Sequence, residues 1–508
     1  MRNRSLLCAV IGSMLPIPAV AQAAASDPFA GARAFIEQAM RDNDLPSIAA
    51  VVAKNGEVVF AEGFGWADLE QRIPATPRTM YSLASISKPM TATALMRFVQ
   101  DGRIRLDRPA NDYLPGGRVH SRRWNPNEAT VQRVLSHSAG LPLHYEFFYE
   151  GEDHPPRNTD EGVSRYGILI AQPGTYYQYS NLGYGIIERM IEHVAGRSYA
   201  DVMREELFRP LGMTRTTVST GAGLADSVAV RYGPDNRPIA YYDFDHRGGS
   251  AVYSSALDLV RFGLYHARKL RGVRTIVADS LLLRMQQPVS AGATRDGYGL
   301  GWAITADDGG YRRMSHTGGM PGVSTVLNVY PDQGVVVAVL SNRSNGVVGR
   351  IAQELAGAVL PRYADVVRER REAAANRQAE TRAAGIPPAL AGEWSGRIHT
   401  PDDSVDLKLV IDASGDVHVQ LGNELWTLLN ETATPDGDRL VGRFAASMPD
   451  RHARRHSHSV LVNLKLEGDR LYGQATAQTT GWPYYFALTS FAELRKTATQ
   501  AGGPGRSP

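Results

Sequence analysis

The chain has 508 residues, 43% of them hydrophobic, and its 55 basic and 52 acidic residues give a formal net charge of +3. A charge so close to zero gives no electrostatic basis for nucleic-acid binding, and the length suffices for a large core in two or more domains. The single cysteine, Cys8, lies in the first apolar segment. The rest of the chain can therefore form neither a disulfide nor a cysteine-based metal site.

Residues 1–23 have the features of a secretory signal. Arg2 and Arg4 form a basic start, residues 6–20 are apolar, and small residues at 19–23 offer a cleavage site. The apolar run is too short and too interrupted by proline for a stable membrane span. We therefore predict export to the periplasm or the cell exterior, where loss of both arginines would lower the net charge from +3 to +1.

Two β-hairpins are predicted near the two ends of the region 28–361. Residues 48–54 and 57–64 are strand-forming runs joined by an Asn-Gly pair that is typical of a type I′ turn. Residues 324–330 and 335–341 flank a second turn. The first hairpin and the second would form an antiparallel sheet that is closed by both ends of the region.

The segments between the hairpins are mostly helical. Residues 89–100 are a predicted helix with Pro89 in its first turn, where proline is tolerated. We therefore predict an α+β fold in which the antiparallel sheet packs against an all-helical subdomain.

Beyond residue 361 the composition changes twice. Residues 362–388 are polar and predict a solvated, partly helical linker. Residues 389–495 contain roughly eight short β runs separated by turns, which predicts a small all-β domain, a barrel or a sandwich. Its start at residues 392–396 resembles the first strand of lipocalin-like barrels, or equally a generic β-domain entry. Residues 496–508 are predicted to be disordered.

Ser85 and Lys88 form a Ser-x-x-Lys motif in a chain that has only six lysines among 55 basic residues. Arginine does not release its proton inside a protein, whereas a desolvated lysine can. On a helix, residues i and i+3 share a face, so the two side chains could meet at hydrogen-bond distance. The pattern indicates a serine nucleophile with a lysine proton acceptor. A helix-capping serine followed by a surface lysine would give the same pattern.

Two further motifs follow along the chain. Tyr179 and Asn181 form the only Tyr-x-Asn among 22 tyrosines, and His316, Thr317 and Gly318 precede a predicted strand. Each alone has an ordinary explanation, as a loop before a helix that Asn181 caps or as the entry to a strand. Their order and wide spacing after the Ser-x-x-Lys motif make coincidence a poor explanation.

The three motifs in this order resemble the serine β-lactamase and penicillin-recognising peptidase superfamily, with class C enzymes and D-alanyl-D-alanine carboxypeptidases as the most similar branch. Supporting similarity lies at residues 135–142, 207–213 and 298–302, and the resemblance covers about residues 30–360. It implies a hydrolase domain over residues 28–361 that works through an acyl-enzyme, with no metal and no cofactor.

By this resemblance, Ser85 is the acylated nucleophile and Lys88 accepts its proton. Tyr179, hydrogen-bonded to Lys88, would relay protons to the leaving group and activate the deacylating water. A neutral tyrosine is a poor base, with an ordinary pKa of about 10, so Lys88 and His316 are expected to lower the pKa of Tyr179.

The resemblance also implies the substrate contacts. Asn181 would hold the substrate amide, and the backbone N–H groups of Ser85 and Gly319 would form the oxyanion hole. The segment from His316 through Gly318 would complete the substrate-binding edge, where Thr317 could bind a carboxylate through its hydroxyl.

His316 stands where class C β-lactamases carry lysine. Histidine has an ordinary pKa of about 6.5, so the site would be less cationic near neutral pH. This favours a peptidase or an esterase over a β-lactamase. The preferred small-molecule or peptide substrate is a peptide or amide that contains a D-amino acid. An ester, a β-lactam and a non-catalytic role in binding cell-wall peptide are the alternatives, and the oligomeric state is left open.

Three other features receive lesser roles. His137 is predicted to be structural rather than catalytic, and His246 with Gly248 and Gly249 is expected to shape a loop near the cleft. The histidine- and arginine-rich residues 451–458 could bind a metal or a polyanion, but a solvated hairpin tip is preferred because no closed ligand set is present.

Overall fold

The structure is a computed structural model that describes residues 27–154, 158–218, 228–290, 292, 296–378, 386–412, 415–434, 437–482 and 484–497. The predicted signal segment and residues 498–508 of the predicted tail lie outside the described residues. No helix within the described ranges combines the length and the apolar character required to cross a bilayer.

The described residues of the first domain contain thirteen strands and eleven α-helices, besides short 3₁₀ and π segments. The strands are β1 (Ser47–Lys54), β2 (Glu57–Asp68), β3 (Ile73–Pro74), β4 (Met80–Ser82), β5 (Tyr145–Tyr149), β6 (Thr216–Val218), β7 (Tyr242–Phe244), β8 (Val252–Ser255), β9 (Gly297–Tyr298), β10 (Ala303–Asp308), β11 (Tyr311–Met320), β12 (Val323–Tyr330) and β13 (Val335–Ser341). The helices are α1 (Ala30–Asp42), α2 (Ser87–Gln100), α3 (Val131–Leu135), α4 (Thr159–Tyr166), α5 (Asn181–Ala195), α6 (Tyr199–Val202), α7 (Arg247–Ser250), α8 (Ala256–His266), α9 (Asp279–Met285), α10 (Val348–Gly357) and α11 (Tyr363–Gln378).

The main sheet of the first domain has eight antiparallel strands in the order β3-β2-β1-β13-β12-β11-β10-β9. Strands β1 and β13 pair directly, so the two ends of the region meet at the centre of the sheet as predicted. The first turn is also confirmed, because Asn55 and Gly56 both have positive φ angles, 54° and 96°, as a type I′ turn requires.

Both faces of the central strands are buried, which explains their nearly continuous apolar sequence. In β1, Ile48 and Val52 face a core that contains Ile351 of α10, whereas Val51 faces the core shared with Phe262 of α8. Helices α2 and α5 pack together on the same side as α8. The predicted α+β architecture with a helical subdomain is therefore confirmed.

The second domain is an all-β unit that is nearly closed. Its described strands are β14 (Gly392–His399), β15 (Ser404–Ile411), β16 (Val417–Leu421), β17 (Thr427–Leu428), β18 (Asn430–Ala433), β19 (Arg439–Ala445), β20 (His458–Glu467), β21 (Arg470–Thr479) and β22 (Phe486–Lys496). They follow the order β17-β16-β15-β14-β22-β21-β20-β19-β18, with antiparallel pairing throughout. We call this second domain the barrel.

The barrel and the first domain share a sheet edge. Strand β5 of the first domain pairs with β22 of the barrel, where Glu146 lies opposite Phe486, and β7 pairs with the other side of β5. The predicted linker is also less solvated than expected at its start. Tyr363 is fully buried and its hydroxyl donates to Asp308 (2.9 Å), so α11 is anchored on the first domain. Lys496, predicted to begin the tail, still belongs to β22.

The preferred interpretation of residues 451–458 as a solvated hairpin tip is wrong. His452 is buried, and Arg455 donates to the fully buried Glu146 of β5 (2.8 Å). Glu146, His154 and His452 could bring one ligand atom each within 4.8 Å of the others. Because Arg455 already compensates the charge of Glu146, we assign this cluster a structural role between the domains.

Candidate active site

Ser85 lies in a 3₁₀ turn, Ala84–Ile86, that leads directly into α2. Ala84 has a φ of 47°, a conformation that a residue with a Cβ rarely adopts and that often marks functional sites. Ser87 holds the turn, since its hydroxyl donates to the Ala84 carbonyl (2.7 Å) and accepts from the Val252 N–H (3.0 Å). In a 3₁₀ turn, residues i and i+3 eclipse one another, so Lys88 lies directly beside Ser85.

Lys88 is fully buried and uses all three of its ammonium donors. Nζ donates to Ser85 Oγ (3.0 Å), to Asn181 Oδ1 (2.8 Å) and to the Gly249 carbonyl (3.0 Å). Burial holds the pKa of Lys88 well below its ordinary value, because the charged form loses its hydration. The ammonium itself cannot accept a proton, but in the neutral form that this shift favours Nζ keeps two N–H groups for Asn181 and Gly249 and can turn its lone pair to the Ser85 hydroxyl, which then becomes the donor.

Asn181 is available to Lys88 because the neighbouring serine caps the helix. The sequence allowed Asn181 as the cap of α5, but the Ser180 hydroxyl accepts from the Gly183 N–H (2.9 Å) instead. His137 fixes the same turn, since its Nδ1 accepts from the Ser180 N–H (3.0 Å), which agrees with its predicted structural role.

Tyr179 lies beside the serine–lysine pair, but two expectations about it are wrong. The Lys88 ammonium sits 4.8 Å from the centroid of the Tyr179 ring, and its three hydrogen bonds go elsewhere. Burial raises the pKa of Tyr179 above its ordinary value, and the hydrogen bond with Ser85 opposes this only in part. Tyr179 is therefore neutral at neutral pH, and it can donate a proton better than it can accept one.

His316 is buried in β11 with both ring nitrogens occupied. Its Nδ1 donates to the Thr317 carbonyl (2.7 Å), and its Nε2 accepts from the Tyr298 hydroxyl (2.9 Å). Burial, with the nearby charge of Lys88, lowers the pKa of His316 to about 3. His316 is therefore uncharged near neutral pH, and it does not border the cleft in front of Ser85.

The residues after His316 alternate between the two faces of β11, with Gly318 buried and Thr317 and Gly319 exposed. A Cβ on Gly318 would lie 2.1 Å from the Leu83 carbonyl oxygen, so this glycine lets β11 approach the Ser85 turn. Gly319 faces open space and borders the same cleft as Ser85, where the predicted oxyanion donors could act together. Thr317 is exposed but does not border this cleft.

The cleft in front of Ser85 has a volume of about 530 Å³ and receives side chains from both domains. Tyr145 and Phe147 come from β5, whereas Trp482 and Tyr485 come from the barrel. Sequence analysis missed this aromatic wall. The cluster of Trp482, Tyr484 and Tyr485 in the sequence was the available signal, but nothing in the sequence places these residues of the barrel beside the first domain.

Comparison with known proteins decides the family. Residues 32–360 match the family model described as Beta-lactamase. The chain belongs to the Beta-lactamase family. Penicillin-binding protein 4 of Amycolatopsis lactamdurans is 31% identical over 290 residues, which cover 53% of this chain and 74% of that protein. Like other members of this superfamily, the chain is a serine hydrolase.

Two solved structures extend the similarity of fold to both domains. The octameric penicillin-binding protein homologue from Pyrococcus abyssi has a TM-score of 0.57 and 21% identity. The structure titled SurE with D-Leu has a TM-score of 0.58 and 20% identity. Each match covers 92% of this chain and 99% of the other, so the barrel is included in the shared fold.

Proposed function

We propose that this protein is an exported hydrolase that forms an acyl-enzyme on Ser85 and cleaves amide bonds on the carbonyl side of D-amino-acid residues. The observation that carries the chemistry is the 3.0 Å contact between Ser85 Oγ and the buried Nζ of Lys88. The basic and apolar start of the sequence supports export.

The geometry supports a simple order of proton transfers. Ser85 Oγ attacks the substrate carbonyl carbon while Lys88 takes the hydroxyl proton. The resulting oxyanion lies toward the backbone N–H groups of Ser85 and Gly319. Neutral Tyr179 donates its proton to the departing amine, and the proton held by Lys88 returns to Tyr179 through a water molecule, because no direct hydrogen bond joins the two side chains.

The polar groups of the cleft favour a substrate that is uncharged around the scissile bond. Asn181 has its Oδ1 bound by Lys88, so it offers the substrate only amide N–H donors, which suit a peptide carbonyl. Among the described cleft residues no carboxylate is present, and Arg343 is the one permanent cation. Its guanidinium is already committed to the carbonyl of Asp44 (2.6 Å) and to Asn236 (3.0 Å).

This distribution of charge refines the choice among peptidases. A carboxypeptidase must bind a free carboxylate, and an aminopeptidase must bind an ammonium group. The described cleft residues offer no carboxylate to an ammonium group, and most donors of Arg343 are occupied by protein oxygens, so an internal peptide bond or a blocked amide suits the cleft best. Similarity to the structure that is titled SurE with D-Leu supports the D configuration.

Matched pairs of D- and L-amino-acid substrates test the proposal. Turnover of N-acetylated D- and L-alanyl and D- and L-leucyl anilides would be measured with wild type and with Ser85→Ala, and separate samples of both proteins would be labelled by a fluorophosphonate. We expect D-selective turnover and a mass-spectrometric adduct on Ser85, both lost in Ser85→Ala. An adduct on another serine would overturn the mechanism, and equal turnover of D and L anilides would overturn the D-amino-acid assignment.

An ester hydrolase is the second candidate, favoured by the aromatic and mostly uncharged cleft. Short-acyl nitrophenyl esters and a chromogenic cephalosporin would therefore join the panel. Ester turnover without anilide turnover would replace the amide assignment. Cephalosporin hydrolysis at roughly 10⁷ to 10⁸ M⁻¹s⁻¹, the upper range of ordinary enzymes, would instead identify a β-lactamase. A fold that binds cell-wall peptide without catalysis would show no Ser85 adduct.

A further inference from the structure

His246 borders the cleft and is oriented by a buried carboxylate. The residue begins the turn that leads into α7, and its Nδ1 lies 3.1 Å from Asp245 Oδ1. A carboxylate can only accept, so Nδ1 carries the proton and Nε2 carries the lone pair. Within the described residues, Nε2 has no hydrogen-bond partner. The imidazole therefore presents an unoccupied acceptor next to the cleft.

Asp245 is fixed more firmly than a single contact would allow. The carboxylate is buried, and Nε2 of the fully buried His144 lies 3.0 Å from its second oxygen. His144 in turn stacks on Tyr166, with ring centroids 4.7 Å apart. Two histidines thus share one carboxylate, and only His246 borders the cleft.

The ring of His246 lies close to the proton-transfer groups. A Cβ on Gly249 would be 3.4 Å from both His246 Cδ2 and Lys88 Nζ. The His246 ring and Lys88 Nζ therefore lie on either side of Gly249, each within van der Waals contact of the same point. Ser85 and His246 also border the same cleft, so an acyl group on Ser85 would extend past the imidazole.

Release of the acyl group requires a proton acceptor for the incoming nucleophile, and few cleft residues qualify. Tyrosine has an ordinary pKa of about 10 and arginine stays protonated, so neither accepts a proton at neutral pH. Burial makes Tyr179 a still poorer acceptor, since it raises its pKa further. Apart from serine hydroxyls, the described cleft residues with an ionisable side chain are Tyr145, Tyr179, Tyr232, His246, Arg343 and Tyr485. Among these six only His246 can act as a base, and Lys88, which accepts the Ser85 proton during acylation, does not border the cleft.

We propose that His246, oriented by Asp245, is the general base for deacylation, a role that rests on the acyl-enzyme of the proposed function. Nε2 takes a proton from the attacking water while the water oxygen bonds to the acyl carbonyl carbon. The bond from this carbon to Ser85 Oγ then breaks. The proton returns to Ser85 Oγ, and the carboxylic acid leaves. His246 is thus a catalytic residue and Asp245 a positioning residue.

The surroundings of His246 define its expected pH dependence. Asp245, His144 and Lys88 are the charged or titratable groups that face it, and Glu188 of α5 accepts from the nearby Gly248 N–H (2.8 Å). Burial lowers the pKa of His246 below its ordinary value, and Asp245 opposes the shift. Deacylation should therefore be constant near neutral pH and fall in acid as His246 becomes protonated.

His246→Gln tests the assignment, with acylation and deacylation measured separately by the burst of a nitrophenyl ester and by intact-protein mass spectrometry. Glutamine fills the space but accepts no proton. We expect acylation to stay within about threefold, deacylation to fall by about 100-fold or more, and the acyl-enzyme to accumulate. The acid-side fall of the deacylation rate should disappear. His193→Gln, the same change on an exposed face of α5, is the matched control.

Two further measurements separate lost base catalysis from lost structure. Asp245→Asn should move the acid-side fall to lower pH, because the carboxylate that raises the pKa of His246 is gone. Hydroxylamine, which attacks esters without help from a base, should restore release in His246→Gln. His246→Asn replaces the glutamine variant if circular dichroism shows that the latter is unfolded.

The possible outcomes are distinct from those of the proposed function. Unchanged deacylation in folded His246 variants, or an equal fall of acylation and deacylation, would overturn the role of His246 while Ser85 remains the nucleophile. Absence of a Ser85 adduct in wild type would instead overturn the proposed function.

Discussion

The two sides of the cleft are built in opposite ways. The proton-transfer side consists of Ser85, Lys88 and Asn181, all from the first domain and joined by direct hydrogen bonds. The opposite side is an aromatic wall in which β5 and the barrel each contribute rings, such as Phe147 and Trp482. The difference teaches that the proton-transfer groups are assembled within one domain, whereas the shape of the cleft depends on how two domains meet.

The largest effect on activity is expected from a substitution in the proton-transfer side. Lys88→Arg keeps a positive charge but cannot accept the Ser85 proton, so kcat/KM should fall by about 10⁴-fold, as for other essential catalytic groups. Acylation by wild type should increase as pH rises through the lowered pKa of Lys88, because the neutral amine is the active form. The variant should lack this rise. Lys408→Arg, at an exposed position of the barrel, should behave as wild type. Near-normal acylation in Lys88→Arg would mean that another group is the base.

The second-largest effect is expected from weakening the contact between the two domains that form the aromatic wall. Arg455→Met leaves the fully buried carboxylate of Glu146 without its guanidinium partner. The free energy of unfolding, measured by urea denaturation, should fall by about 3 kcal/mol. Arg397→Met removes a comparable ion pair with Asp406 that is more than half exposed, and should change stability by less than about 1 kcal/mol. Equal losses in the two variants would contradict a buried junction.

The third effect removes part of the wall itself. Trp482→Ala should lower kcat/KM for substrates with large side chains by about 10- to 100-fold, the range for lost contacts in an apolar pocket. Small acyl esters should be hydrolysed as before, since the proton-transfer side is unchanged. Trp426→Ala provides the control, because this exposed barrel tryptophan does not border the cleft. A similar loss for all substrates would show that Trp482 supports the fold rather than the substrate.

The smallest effect is expected from changing the charge of residue 316, beside the proton-transfer groups. Because the pKa of His316 is about 3, wild-type selectivity between carboxylate-bearing and neutral substrates should not change from about pH 5 to pH 8. His316→Lys should raise selectivity for the carboxylate by less than about tenfold, and neutral His316→Asn should not. A wild-type preference for carboxylates that grows as pH falls through 6.5 would mean that His316 protonates normally.

Much of the proton-transfer side could be predicted because its signals are local. Ser85 and Lys88 are three residues apart, so one turn of backbone brings them together whatever the rest of the chain does. The Asn-Gly turn between β1 and β2 is equally local, since the two residue types specify the turn.

The rest depends on packing between distant segments. The pKa of Tyr179 was expected to fall because charged neighbours could be named from the motifs, whereas the burial that raises it is visible only in three dimensions. The same holds for residues 451–458. Their charged side chains predict exposure to solvent, and only the structure shows that Arg455 donates to Glu146 of β5. No sequence motif marks the pair of Asp245 and His246, since an Asp followed by a His is an ordinary dipeptide. Only the structure shows that His246 borders the cleft.

The pairing of β5 with β22 also sets an order of events during synthesis. Strand β5 leaves the ribosome well before β22, with more than half of the chain between them. Until β22 arrives, the edge of β5 and its aromatic side chains have no partner on that side, a situation that invites pairing with other chains. The substrate cleft is therefore among the last features of the molecule to be completed, after the nucleophile and its lysine have already been made.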